Sequence, residues 1–148
     1  MAPATVRPRV SAGAVFFDAD GRLLLVDPTY KEFWNLPGGG LDHGETPRAA
    51  CIREVREELS LQPPIGALLA TAWATRPGAE PQIYFVFDGG VLDAAHQSAI
   101  TVDGHELREH RFVAVAEAHA MVPPWQADLL TEVLAARRDG THRYVELT

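Results

Sequence analysis

GGLDHGETPRAACIREVREELSL, residues Gly39 to Leu61, is the stretch on which the fold of this chain turns. Its first part is loop. Pro37 and the glycines Gly38, Gly39 and Gly40 predict no regular structure from Trp34 to Gly40. Its second part predicts a helix. Thr46 suits the N-cap, and Pro47 suits the first helical position, where a missing N–H costs nothing. The helix should run to about Leu59, with Pro63 and Pro64 as its outer limit.

On a helical wheel with Glu54 at 0°, Glu58 falls at about 40° and Glu57 at about −60°. Three carboxylates thus share an arc of about 100°. Ile52, Val55 and Leu59, at about 160°, 100° and 140°, are expected to form a separate core-facing stripe. Like charges three and four residues apart destabilise a helix by a few tenths of a kcal/mol each, a cost that a purely structural helix avoids. Oxygen-only donors at this density suit Mg²⁺ or Mn²⁺ better than Zn²⁺. An isolated EVREE string is nevertheless more often a solvated acidic face, so the helix by itself does not establish a metal site.

The loop ahead of it has a related ambiguity. Gly39, Gly44, Glu45 and Thr46 follow the spacing of a phosphate-binding P-loop, but Glu45 stands where that loop needs Lys. An anion in place of the cation excludes nucleotide binding by that route. Gly38 to Gly40 can still bring backbone close to a metal or phosphate, and they can equally be plain turn glycines.

Loop and helix together resemble the Nudix box, G-x5-E-x7-R-E-U-x-E-E-x-G-U, where U is a bulky aliphatic residue. Gly39, Glu45, Arg53, Glu54, Val55, Glu57, Glu58 and Leu61 match at the required spacing, and Trp34-Asn35-Leu36-Pro37-Gly38 resembles the W-x-L-P-G lead-in of that family. The one departure is Ser60, which replaces the Gly that ends the helix. In a left-handed conformation an L-residue there costs on the order of 1–2 kcal/mol.

The resemblance implies an α+β fold, an α/β/α sandwich with a mixed β-sheet between helices. It also implies Mg²⁺-dependent hydrolysis, with Mn²⁺ as substitute, of a diphosphate linkage in a nucleoside diphosphate derivative or related organic diphosphate. Glu54, Glu57 and Glu58 would hold the metal, joined by the carbonyl of Gly38. Glu54 would also activate water, while Arg53 orients the carboxylates, partly through Glu45, and Gly39 shapes the loop. Some relatives use a loop glutamate as base instead, and Glu106 and Glu109 are the candidates here. Without metal, the neighbouring carboxylates should raise one another's pKa values.

The rest of the chain is compatible with that fold. Arg9 to Phe17 and Arg22 to Asp27 read as a hairpin around the turn Asp18 to Gly21. Gly66 to Thr75, Pro81 to Gly89 and His110 to Val115 read as strands. Pro123 to Gly140 reads as a second helix with a prolyl start and a glycine stop, and Arg143 to Leu147 as a final edge strand. Trp34, Trp73, Arg76 and Tyr84 could line a pocket for a base or sugar, although strand aromatics are more often core.

Composition bounds the remainder. The 148 residues, 47% hydrophobic and 22% charged, are expected to form one domain over 1–148, with residues 1–8 a loose lead-in. A formal charge of −7 and a pI near 5.3 argue against a nucleic acid polymer as partner. Cys51 is the only cysteine, and none of the six histidines has zinc-ligand spacing. No apolar run reaches a membrane span, and the start lacks a signal-peptide core, so a cytoplasmic protein is expected. Many members of the resembled family dimerise, which makes a homodimer an expectation that no interface signal in this sequence supports. The runner-up function is a non-hydrolytic Nudix module that senses a nucleotide; the intact glutamates weigh against it, and no effector domain is expected. A prenyl-diphosphate isomerase finds no support in the residues present.

Overall fold

A computed structural model describes residues 4–148. Residues 4–8 carry no regular element; the rest of the expected lead-in, residues 1–3, lies outside the described residues. The hairpin forms from β1 (Arg9–Phe17) and β2 (Leu23–Pro28). Its turn is held by Asp18, whose carboxylate accepts the N–H of Asp20 at 3.0 Å, the N–H of Arg22 at 2.8 Å and the Arg22 Nε–H at 2.6 Å.

Then follow β3 (Gly38–Gly40), α1 (Pro47–Leu59), β4 (Leu68–Ala74), β5 (Gln82–Val91), α2 (Ala94–Ala99), β6 (Leu107–Val113), α3 (Val115–Met121), α4 (Pro124–Asp139) and β7 (Arg143–Leu147). One mixed sheet runs in the order β6-β2-β1-β5-β4-β7, with β3 paired to β1 off that path. The parallel pairs are β1 with β5 and β4 with β7; the others are antiparallel.

Strand alternation divides the core into two layers. On one face Ala12, Ala14 and Phe16 of β1 and Leu24 and Val26 of β2 pack with Ala50, Cys51, Val55 and Leu59 of α1. On the other, Val15, Phe17, Leu23 and Leu25 pack with Leu129, Leu130, Val133 and Ala136 of α4. This is the expected α/β/α sandwich.

Several local expectations need correction. Gly38 to Gly40 form a strand instead of irregular loop, pairing Gly40, Gly39 and Gly38 with Ser11, Ala12 and Gly13. The ladder needs only backbone, and side chains would obstruct it: a Cβ on Gly38 would strike the Ala12 carbonyl oxygen, and one on Gly13 would lie 2.5 Å from the Pro37 oxygen. Two helices were expected, and four are present among the described residues. Helix α2 had a legible signal, since the Asp93 carboxylate caps it by accepting the His96 N–H at 2.8 Å. Helix α3 has no side-chain cap to read. Strand β6 begins three residues earlier than His110, at Leu107.

The expected stripe on α1 is also displaced. Ile52 is 38% exposed, whereas Ala50, Cys51, Val55 and Leu59 are buried, and so is Glu58, at 9%. On the same wheel the buried residues span about −40° to 140°, and Glu58 at about 40° sits near the middle of that arc. The small residues Ala50 and Cys51 dock on Ala12 and Ala14, a contact that a search for bulky apolar residues overlooks.

Thr46 caps α1 by accepting the Ala49 N–H at 3.2 Å, and Ser60 ends the helix with φ 60° and ψ 32°. Ser60 is the only non-glycine residue with positive φ among the described residues. Its hydroxyl reaches the Thr101 carbonyl at 3.2 Å, and the Thr101 N–H donates to the Leu59 carbonyl at 3.0 Å. Ser60→Gly should relieve backbone strain while losing one exposed hydrogen bond, a net gain of roughly 0.5–1 kcal/mol, or about 2–4 °C in Tm. Calorimetry that shows a lowered Tm would refute the strain.

Candidate active site

Helix α1 packs on β1 and β3, so its carboxylates face the glycine strand. Gly39 makes that approach feasible: a Cβ there would lie 2.5 Å from the carboxyl carbon of Glu54. Gly38 donates its N–H to Glu58 Oε1 at 2.8 Å. Loop and helix are thus joined at two successive residues.

Arg53 ties the remaining parts together. Its Nε and Nη2 donate to the two oxygens of Glu45 at 2.7 and 2.9 Å, the forked pairing for which a planar guanidinium is suited. Nη1 reaches Glu54 at 2.9 Å and Glu57 at 3.2 Å, and Nη2 also donates to the Gly40 carbonyl at 2.9 Å. Glu45 in turn accepts the Asp42 N–H at 2.8 Å. Hydrogen bonds from Arg53 hold the Glu45 carboxyl below its usual range, and those bonds raise Arg53 further above the range in which it could lose its proton.

Glu54, Glu58 and Glu106 line one cavity of about 330 Å³, together with Tyr30, Gly38, Gly39 and Leu107. Burial pushes the Glu58 carboxyl up to about 8, helped by the charges of Glu54 and Glu106 and opposed by the Gly38 N–H. Burial also raises Glu54, against the pull of Arg53. Desolvation therefore outweighs the mutual repulsion expected from the sequence. Glu57 is half-exposed and is absent from the cavity lining, held on the outer side by Arg53. Of the two loop candidates, Glu106 joins the cavity, while Glu109 points along β6 to Arg111 at 2.8 Å.

The residues fit a hard divalent cation. Glu58, a buried carboxylate, has one hydrogen-bond donor, and three carboxylates share a cavity without His or Cys. As their side chains stand, no three acidic, His or Cys residues among the described ones are close enough together to hold a metal ion by themselves. An open donor set suits Mg²⁺, which retains waters and takes further oxygens from a phosphorylated ligand.

A second cavity, of about 480 Å³, shares Tyr30, Gly38, Gly39, Glu58 and Leu107 with the first. Of the four pocket candidates, Arg76 and Tyr84 line it. Trp34 packs against the core with the Arg111 guanidinium 4.8 Å from its ring centre, and neither it nor Trp73 lines the cavity. Trp125, Gln82 and Gln126 line it and were not singled out from the sequence. Trp125 sits edge-on to Tyr84, with ring centres 5.9 Å apart. Its place in the helical segment after Pro124 offered no signal, because the cavity is assembled from distant strands. Cys51, pushed up to about 12 mainly by burial, is an inert packing residue.

The raised Glu58 carboxyl gives a signed pH dependence. In EDTA, the unfolded chain loses this proton near 4.5 and the folded chain near 8. The contribution is therefore full below about 4.5 and lost as pH rises through about 8. Urea unfolding should show wild type losing stability relative to Glu58→Gln across this window. A constant difference between the two proteins would contradict the burial argument.

A family model described as a NUDIX domain matches residues 7–133. An RNA pyrophosphohydrolase of Gluconobacter oxydans (strain 621H) is 39% identical over 62 residues, 40% of this chain and 36% of the relative. The short matches to three such relatives span 36%, 37% and 33% of their lengths, so the chain covers about a third of each. An RNA pyrophosphohydrolase of Cereibacter sphaeroides (strain ATCC 17029 / ATH 2.4.9) is 26% identical over 157 aligned positions, covering 92% of this chain and 94% of the relative. Among solved structures, a MutT protein from Methanosarcina mazei Go1 superimposes with a TM-score of 0.74 at 21% identity, covering 93% of this chain and 99% of that one. That likeness bears on the fold. No helix among the described residues is long and apolar enough to cross a membrane.

Proposed function

The chain belongs to the Nudix hydrolase family, and from that premise we propose that it hydrolyses, with Mg²⁺ or Mn²⁺, a diphosphate linkage in a nucleoside diphosphate derivative or related small organic diphosphate. The observation that carries this reading is that the two cavities adjoin and share lining residues. Glu54, Glu58 and Glu106 line the smaller one, and Tyr30, Gly38, Gly39, Glu58 and Leu107 also line its neighbour, which Tyr84 and Trp125 wall. A polyphosphate would lie at the first and its organic group in the second.

In this reading Glu54 and Glu58, with the carbonyl of Gly38, would hold the ion, and Glu57 would join them by turning from Arg53, which holds it on the outer side of α1. Bound there, it would neutralise diphosphate oxygens and lower the pKa of a water. Glu54 takes the proton from the attacking water, a role suited to a carboxyl raised by burial. Arg53 is a positioning residue: it holds Glu54 and Glu57 in place and is itself held by Glu45 and the Gly40 carbonyl. Glu106, which lines the same cavity, is the competing base.

The name of the relatives favours a second reading, in which the diphosphate is carried by an RNA. The net charge of −7 weighs against a long polyanion. A substrate panel that includes nucleotides, nucleotide sugars, dinucleoside polyphosphates and a 5′-triphosphorylated RNA separates the two readings, and omission of metal tests the chemistry.

Turnover of a small diphosphate should require Mg²⁺ or Mn²⁺, vanish in EDTA, and fall at least about a hundredfold in Glu57→Gln and Glu58→Gln. Glu54→Gln should lower kcat more than Glu106→Gln does; the reverse order would move the base to Glu106. Nucleotide binding without turnover across the whole panel would make the chain a sensor. Gly39→Ala should displace the Glu54 carboxylate, reducing kcat while the protein stays folded by circular dichroism. Unchanged kcat would show that the close approach has no part in catalysis.

A further inference from the structure

The larger cavity contains one buried polar side chain whose orientation is settled by its partner. Gln126, 2% exposed, accepts the backbone N–H of Leu36 at 3.1 Å through Oε1. A backbone N–H can only donate, so the carboxamide oxygen must face Leu36 and the NH₂ group must face the other way. One Nε2 hydrogen approaches Asn35 Oδ1 at the long distance of 3.5 Å. The other has no protein acceptor among the described residues, and Gln126 lines the cavity beside Trp125 and Leu36. Nε2 is partnered through that one long contact, which leaves its second hydrogen free for an acceptor on whatever binds.

Two further polar side chains of the cavity, Gln82 and Arg76, point to the same ligand chemistry. Gln82 uses its oxygen to accept from Arg76 at 3.3 Å and its NH₂ to donate to Ser11 at 3.0 Å. The remaining guanidinium N–H groups of Arg76, like the spare N–H of Gln126, can only donate. Tyr84 and Trp125 supply apolar ring surface suited to a flat heterocycle. The unspent hydrogen-bonding capacity of these side chains is thus mainly donor.

Resting on the proposed hydrolysis of a nucleoside diphosphate derivative, we propose that Gln126 is a specificity-determining residue that accepts substrates whose base presents a ring carbonyl and disfavours those presenting an exocyclic amino group. A carbonyl oxygen satisfies the spare N–H. An amino group at the same place would set donor against donor.

Two matched pairs test this on the intact protein with Mg²⁺: inosine against adenosine triphosphate, and uridine against cytidine triphosphate. In a pair that is turned over, the oxo member should have kcat/KM about tenfold to a hundredfold higher. Gln126→Glu keeps the acceptor for Leu36 but replaces the donor by an acceptor, so the ratio should shrink or invert. Gln126→Met, with a melting curve to verify folding, should bring it near one. Equal preference in wild type, or an unchanged ratio in both variants, would overturn the inference. If no triphosphate is hydrolysed, binding of inosine and adenosine monophosphates followed by tryptophan fluorescence still decides: oxo-selective binding supports the role of Gln126 while removing the hydrolytic reading, and unselective or undetectable binding overturns the role.

Discussion

The site depends on one side chain, the guanidinium of Arg53. Four groups accept its hydrogen bonds, the carboxylates of Glu45, Glu54 and Glu57 and the carbonyl of Gly40, and the Asp42 carboxylate lies 3.5 Å from its Nε. Gly40 ends β3, Glu45 lies in the loop that follows it, and Glu54 and Glu57 belong to the helix. Arg53 therefore holds loop and helix in register and also neutralises part of an acidic cluster that would otherwise repel itself. A lysine could not do both, because a point charge lacks the fork that grips Glu45 while another nitrogen reaches Glu54.

With Arg53 occupied on the outer side of α1, the inner carboxylates are left with few protein partners. Glu58 lies in the packed face between α1 and the sheet, with the Gly38 N–H as its hydrogen-bond donor. Burying a carboxylate this way is costly unless a cation compensates. The glycine strand contributes by what it lacks. Without Cβ atoms at Gly38 and Gly39, β3 can pair with β1 and still leave room for Glu54. Packing, electrostatics and the proposed metal chemistry therefore rest on the same few residues.

The opposite layer completes the site. Helix α4 packs on the far face of the sheet, yet its first turn reaches the cavity through Trp125 and Gln126, and Gln126 holds the backbone of Leu36 just before the glycine strand. In the proposed reading the organic end of a ligand would be met by residues from β4, β5 and α4, and the phosphate end by α1, β3 and the residue preceding β6. Such a division lets one end vary in specificity while the other retains its geometry.

The amino-acid sequence alone determined the local parts. Thr46, Pro47 and Leu59 marked the limits of α1, the spacing from Gly39 to Leu61 marked the family, and the αL conformation of Ser60 followed from its place at the helix end. These are matters of caps, periodicity and steric limits within a few residues. Only the tertiary structure decided that Glu58 is buried and Ile52 is not, that three glycines make a strand, that Glu106 and not Glu109 faces Glu54, and that Trp125 and Gln126, not Trp34 and Trp73, line the larger cavity. Each depends on which distant segment lies opposite: Ala12 and Ala14 under Ala50 and Cys51, β1 beside β3, and the first turn of α4 beneath Leu36. A single residue's type and its near neighbours do not encode that partner. The fold brings it there, and desolvation and hydrogen bonding then set its chemistry.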